Sequence, residues 1–108
     1  MTVTTETTIE QEVAVLTKAL GHPARARIMR LLLARDACYC GQLIDELGLA
    51  QATVSQHLKV LRDAGLIVGE IEGLRTCYWA SRDRLAQLHD LLGDLLDEAV
   101  EVDTSGCD

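Results

Sequence analysis

Gln51-Ala-Thr-Val-Ser-Gln-His-Leu-Lys-Val-Leu-Arg-Asp-Ala-Gly-Leu-Ile67 is the stretch that decides the fold. Val54, Leu58 and Leu61 recur at three- and four-residue spacing, the period of a helix with one apolar side. Gly65 ends that helix. The opposite side offers Ala52, Gln56 and Lys59, flanked by Thr53 and Ser55. These are small, hydrogen-bonding or basic groups, the kind that can approach base edges and phosphates in a major groove. His57 leans toward the apolar side, so packing is its expected role.

Outward from that helix, the flanking patterns complete a DNA-reading unit. Gly48-Leu49-Ala50 reads as a tight turn, and Cys40 to Leu47 before it as a short helix burying Leu43, Ile44 and Leu47. A short helix, a three-residue turn containing glycine and a longer helix with a polar start form a helix-turn-helix. Past Gly65 the period changes. Leu66 to Glu72 is β-prone, Gly73-Leu74 is a turn, and Arg75 to Ala80 is a second strand, so a hairpin wing follows directly. Upstream, Ile9, Val13, Leu16 and Leu20 mark a first helix, ended by Gly21-His22-Pro23. Ala24 to Ala34 makes a second, with Ile28, Leu31 and Leu32 inward. Asp36 to Cys38 is expected to be a plain connection. After Ser81, a candidate N-cap, Leu85, Leu88, Leu92, Leu95, Leu96 and Ala99 predict a last helix. The expected fold is mainly α with one β-hairpin, in the order α-α-α-α-β-β-α. This winged helix-turn-helix spans residues 9–100, between a flexible start (1–8) and a flexible acidic tail (101–108).

The chain has 108 residues, 48% of them hydrophobic, with no Phe, one Trp and two Tyr, so Leu, Val, Ile and Ala must build the core. No apolar run approaches the roughly 20 residues that cross a membrane, and no basic and apolar leader precedes the first helix. A cytoplasmic protein without a membrane partner is expected. A net charge of −7 looks unsuited to DNA, but its distribution matters more. All ten basic residues lie between Lys18 and Arg84, against seven acidic ones, a local charge of +3. The acidic excess belongs to the two ends. Double-stranded DNA is therefore an allowed partner, with strong salt dependence.

The first and last helices carry more Leu and Val than a small winged domain covers, and uncovered stripes of that kind mark an interface. A homodimer through these two helices is expected, which sets two recognition helices one DNA turn apart. Four cysteines stand at 38, 40, 77 and 107. Cys38 and Cys40 are too close for an ordinary bridge, so reduced thiols with a ligand or redox role are expected. Two apart on a regular helix they would face opposite ways. They can meet on one ion only where the backbone is non-helical or is unwound by binding. Cys77 on the second wing strand reads as packing or as a further ligand. Cys107, in a polar tail, either completes the site or is a bystander.

With these parts in place, the chain resembles the arsenic-responsive branch of the ArsR/SmtB metalloregulatory repressors, from about Val13 to Ala99. Leu20-Gly-His-Pro-Ala-Arg, Cys38-Tyr-Cys-Gly-Gln-Leu, Gln51-Ala-Thr-Val-Ser-Gln-His-Leu-Lys-Val-Leu and Ala64-Gly-Leu-Ile carry the resemblance. It implies a dimeric repressor on operator DNA that dissociates when a thiophilic ion binds, here As(III) or Sb(III) as inducer, held by soft thiolates. The metal ligands expected are Cys38 and Cys40, with Cys107 or Cys77 as the third. Two departures stand out. Asp83, Leu85, Leu96 and Ala99 occupy the positions of the zinc branch's ligands, and Leu43 occupies the place of a third cysteine. The DNA-contacting residues expected are Gln51, Ala52, Thr53, Ser55, Gln56, Lys59, Arg62 and Arg75, the last near the wing tip. Arg25 and Arg27 are weaker candidates for phosphate. A thiol redox or persulfide sensor and a Cd(II) or Pb(II) sensor are the alternatives on the same fold. An enzyme is not expected, since nothing signals a substrate pocket, and neither is an organic cofactor or a small organic substrate.

Overall fold

A computed structural model describes residues 8–35 and 38–98, Cys38 and Tyr39 by their backbone alone. The elements run α1 (Ile9–Leu20), α2 (Pro23–Ala34), β1 (Cys38–Tyr39), α3 (Cys40–Leu47), α4 (Gln51–Asp63), β2 (Ile67–Glu72), β3 (Arg75–Ala80) and α5 (Arg82–Glu98). The winged helix-turn-helix expected from the periodicity is the fold observed.

Local chemistry explains the helix starts. Thr8, the last residue of the start read as flexible, caps α1 in a reciprocal box. Its side chain accepts the Gln11 N–H at 3.1 Å, and its own N–H donates to Gln11 Oε1 at 3.0 Å. His22 caps α2 by accepting the Ala24 N–H on Nδ1 at 3.0 Å, and Pro23 takes the first helical position, where a missing N–H costs nothing. Ser81 Oγ accepts the Arg84 N–H at the start of α5, as the sequence predicts.

The end of α4 is set by Gly65. Its φ of +80° puts it in the left-handed region, where a side chain would be strained. The Leu66 N–H then donates back to Leu61 O at 3.0 Å and the Gly65 N–H to Arg62 O at 2.9 Å. Leu61 and Leu66, brought together by this reversal, are both fully buried. They join Leu16, Ile28, Leu32, Leu43, Val54, Leu58 and Ile67 in one core beneath α4. Each such side chain contributes about 1.5–3 kcal/mol by leaving water.

β2 and β3 form the wing, antiparallel, with Glu72 opposite Arg75. Gly73 alone of the two turn residues has positive φ, the requirement of a two-residue hairpin with glycine first. The connection expected at Cys38 is in part a strand, and this corrects the reading. β1 pairs with the free edge of β3, Cys38 opposite Tyr78 and Tyr39 opposite Cys77, giving a three-stranded sheet in the order β1-β3-β2. An extended segment running beside an open edge pairs its backbone groups there. Two residues are too few for periodicity to announce. Among the described residues, no helix is long and apolar enough to cross a membrane.

Candidate functional site

α4 has two chemically opposite sides. Val54, His57, Leu58 and Leu61 are buried, whereas Gln51, Ala52, Thr53, Ser55, Gln56, Lys59 and Arg62 are all exposed. Arg75, at the start of β3, is exposed as well. The structure therefore leaves every residue expected to meet DNA on the surface. Lys59 reaches Asp63 one turn on at 3.2 Å, an exposed pair that nucleic acid can compete away. Unlike α1, α2 and α5, α4 begins without a side-chain cap, Ala50 holding its N-cap position. Its first N–H groups have no side chain accepting them, so a phosphate is a fitting acceptor.

Seven of the ten basic residues of the central window fall into two sets. One set ends helices. Arg25 Nε donates to Ala19 O at 2.7 Å in the last turn of α1, and Arg82 to Leu33 O at 3.0 Å in the last turn of α2. Arg27 donates to Glu46 O at 3.1 Å in α3, and Arg84 Nε to Ala64 O at 2.9 Å at the end of α4. A guanidinium thus sits at the negative end of each of the first four helices, donated from another element. Arg25 and Arg27 thus each hold a helix end, and Arg27 is exposed as well. The second set, Lys59, Arg62 and Arg75, lies exposed on α4 and the wing.

His57 belongs to the structural set. Arg25 Nη1 lies 3.2 Å from its Nδ1, and because a guanidinium only donates, this ring nitrogen accepts and the imidazole is neutral. The His22 ring packs against it, centroids 4.5 Å apart. Burial first, then the nearby His22 and Arg25, hold the His57 pKa below its usual value. Arg84 also ion-pairs with Glu12 of α1 at 2.9 Å and bonds Gln87 Oε1 at 2.9 Å, so one side chain ties α1, α4 and α5 together. In the sequence Arg84 stands out only as the last base of the central window. Nothing local signals a carbonyl twenty residues away.

The thiols fall where strand becomes helix. Cys38 lies in β1 and Cys40 opens α3, so the two are not on one regular helix. The first of the two conditions for their meeting, a non-helical backbone, is met before any ligand arrives. Cys40 is half-buried and forms part of the wall of a cleft of about 710 Å³, open between the starts of α3 and α4 and the wing. Gln51, Ser55, Arg75, Thr76 and Tyr78 line the same cleft. Cys77 is buried and, by the alternation of a strand, lies on the other face of β3 from Thr76 and Tyr78. Neither Cys40 nor Cys77 is in a disulfide. Among the described residues, no three His, Cys, Asp or Glu side chains gather closely enough to hold a metal ion. The side chain of Cys38 and all of Cys107 lie outside the described residues.

A recognition helix, a wing and a sheet that anchors the wing define a helix-turn-helix transcriptional regulator. The helix-turn-helix domain family matches residues 20–70. The HTH-type transcriptional regulator CmtR of Mycobacterium tuberculosis is 41% identical over 95 residues, covering 88% of this chain and 77% of that protein. The structure of HlyU from Vibrio cholerae is 32% identical, with a TM-score of 0.65 over 80% of this chain and 92% of its own. A solved structure of a possible transcriptional regulator for arsenical resistance is 29% identical, with a TM-score of 0.66 over 77% of this chain and 90% of its own. The chain belongs to the ArsR/SmtB family of transcriptional regulators.

Proposed function

We propose that this protein is a homodimeric repressor that binds duplex operator DNA and leaves it when As(III) or Sb(III) is captured by cysteine thiolates. The observation that carries the reading is the shared cleft, in which Cys40 stands beside Gln51, Ser55 and Arg75. In this reading α4 enters the major groove. Gln56 suits an adenine edge, and Thr53 and Ser55 suit a base or a phosphate. Gln51 and Ala52 allow close approach at the uncapped helix start, Lys59 and Arg62 follow the backbone, and Arg75 reaches across from the wing. A second copy would cover the apolar residues that α1 and α5 leave exposed, Val15, Leu92, Leu95 and Leu96 among them.

Cys38 and Cys40 supply two soft donors to the inducer. Each thiol that binds arsenite exchanges an As–OH for an As–S bond and releases water. The placement of Cys77 on the far face of β3 favours Cys107 as the third donor.

An electrophoretic shift on the DNA upstream of its own gene tests the reading. The protein is expected to retard that DNA, and arsenite to abolish the retardation. A Cys38→Ser, Cys40→Ser variant that binds DNA and is still released by arsenite would defeat the site assignment. Release by Cd(II), Pb(II) or peroxide, but not by arsenite, would move the function to one of the alternatives.

A further inference from the structure

The wall of the cleft raises a question about how release occurs. Cys40 and Asp45 come from α3, Gln51 and Ser55 from successive turns of α4, and Arg75 and Tyr78 from the wing. The first helix of a helix-turn-helix crosses the DNA backbone while the second enters the groove, so a duplex seated on α4 also faces the start of α3. Hydrogen bonds to bases and phosphates hold only within about 2.7–3.2 Å, so a group standing out from this wall by one atomic diameter breaks them. In addition, Cys38 is already in a strand, so no helical turn need unwind for the two cysteines to meet.

We infer that occupation of the Cys40 sulfur alone excludes DNA from the cleft, so that operator and thiol-bound effector compete directly for one space. This rests on the repressor reading above. Capture by additional thiols sets how tightly the effector is held, and a single adduct on Cys40 decides whether DNA is bound. The effector class is then any soft electrophile small enough to enter a cleft of about 710 Å³.

The test uses the full chain carrying Cys38→Ser and Cys107→Ser, with Cys77, 8% exposed, left in place. Methyl methanethiosulfonate converts the Cys40 thiol to a methyl disulfide. The S–S bond forms as methanesulfinate leaves and the thiol proton goes to solvent. Mass spectrometry verifies one adduct, on Cys40. Operator affinity of the modified protein is compared with that of the same variant unmodified, before and after dithiothreitol. The expected result is at least a tenfold loss on modification, restored by the reductant, and slower modification when operator is present. Affinity within twofold of the unmodified variant would overturn the inference and leave chelation as the trigger. Failure of the unmodified variant and of the natural chain to bind operator would instead overturn the repressor reading itself.

Gly41 offers an arm free of thiol chemistry. Gly41 lines the cleft, and a Cβ built there meets no atom within 4 Å, so Gly41→Leu starts its side chain in open space beside Cys40. It is expected to weaken operator binding at least tenfold with no reagent present, while far-ultraviolet circular dichroism and melting stay those of the parent. Wild-type affinity in Gly41→Leu would count against direct exclusion.

Discussion

α4 and α5 are both amphipathic, yet the molecule treats them in opposite ways. α4, 13 residues long, buries Val54, His57, Leu58 and Leu61, and its polar side is exposed. α5, 17 residues long, buries only Leu88 and leaves Leu92, Leu95 and Leu96 at 45%, 42% and 75% exposure. The chain's own core consumes the apolar side of one helix and not that of the other. An amphipathic helix thus carries two surfaces, and what each meets is decided by what lies behind it. For α4 the surface left over is polar and suited to nucleic acid. For α5 it is apolar and suited to a second copy.

The largest effect that could break this contrast is on stability. Leu61→Ala, at a fully buried site, is expected to cost about 2–5 kcal/mol in urea unfolding, whereas Leu96→Ala at low protein concentration changes it by less than about 0.5 kcal/mol. Equal losses would mean that α5 packs into the chain's own core as fully as α4 does. If a second copy covers α5, Leu92→Asp with Leu96→Asp halves the mass seen in sedimentation equilibrium.

DNA binding sharpens the other half of the comparison. Gln56→Ala is expected to weaken operator binding by about 1–3 kcal/mol and to relax preference at one base pair. Lys59→Ala should weaken all sequences alike and lower the salt slope by about 1. Fluorescence anisotropy over a series of salt concentrations separates the two patterns. Identical behaviour of both variants would argue that this face reads charge alone.

Arg84 joins the two helices, donating from α5 to the carbonyl that ends α4. Arg84→Ala is expected to cost about 1–2 kcal/mol, measured by thermal and urea unfolding, with a parallel fall in operator affinity. A stability loss with unchanged affinity would show that the end of α4 need not be held for DNA binding.

The smallest effect follows from His57. Its pKa is lowered in the folded state, so the unfolded chain takes up its proton first as pH falls. Its contribution is therefore present above the ordinary histidine range and is lost as pH falls through the folded value. Melting measured from about pH 8 down to about pH 5 should show this decline, and His57→Gln should flatten it.

Much of this was legible in the sequence for a physical reason. Helical and strand periods are local, and Val54, Leu58 and Leu61, the turn at Gly48 and the hairpin at Gly73 each signal within a few residues. The exposed face of α4 follows from the same period, because whatever is not on the buried side must be outside. Cys38 and Cys40 are conspicuous as a spaced pair. The strand character of Cys38 was not legible, since it depends on the edge of β3, nearly forty residues away. The roles of the arginines were equally hidden. Ten basic residues count as one local charge in the sequence, but four of them end helices in the folded chain.

By itself the sequence determined a winged helix-turn-helix with a polar recognition face and a thiol pair at the start of the preceding helix. Propensity, period and turn chemistry act within a few residues, and these features are all of that kind. Only the tertiary structure decided which cations end helices and which lie exposed on α4 and the wing, which apolar stripe is left uncovered, and that Cys40 shares a cleft with Gln51, Ser55 and Arg75. Those outcomes depend on carbonyls, strand edges and helix starts far apart in the chain, which meet only when the core closes.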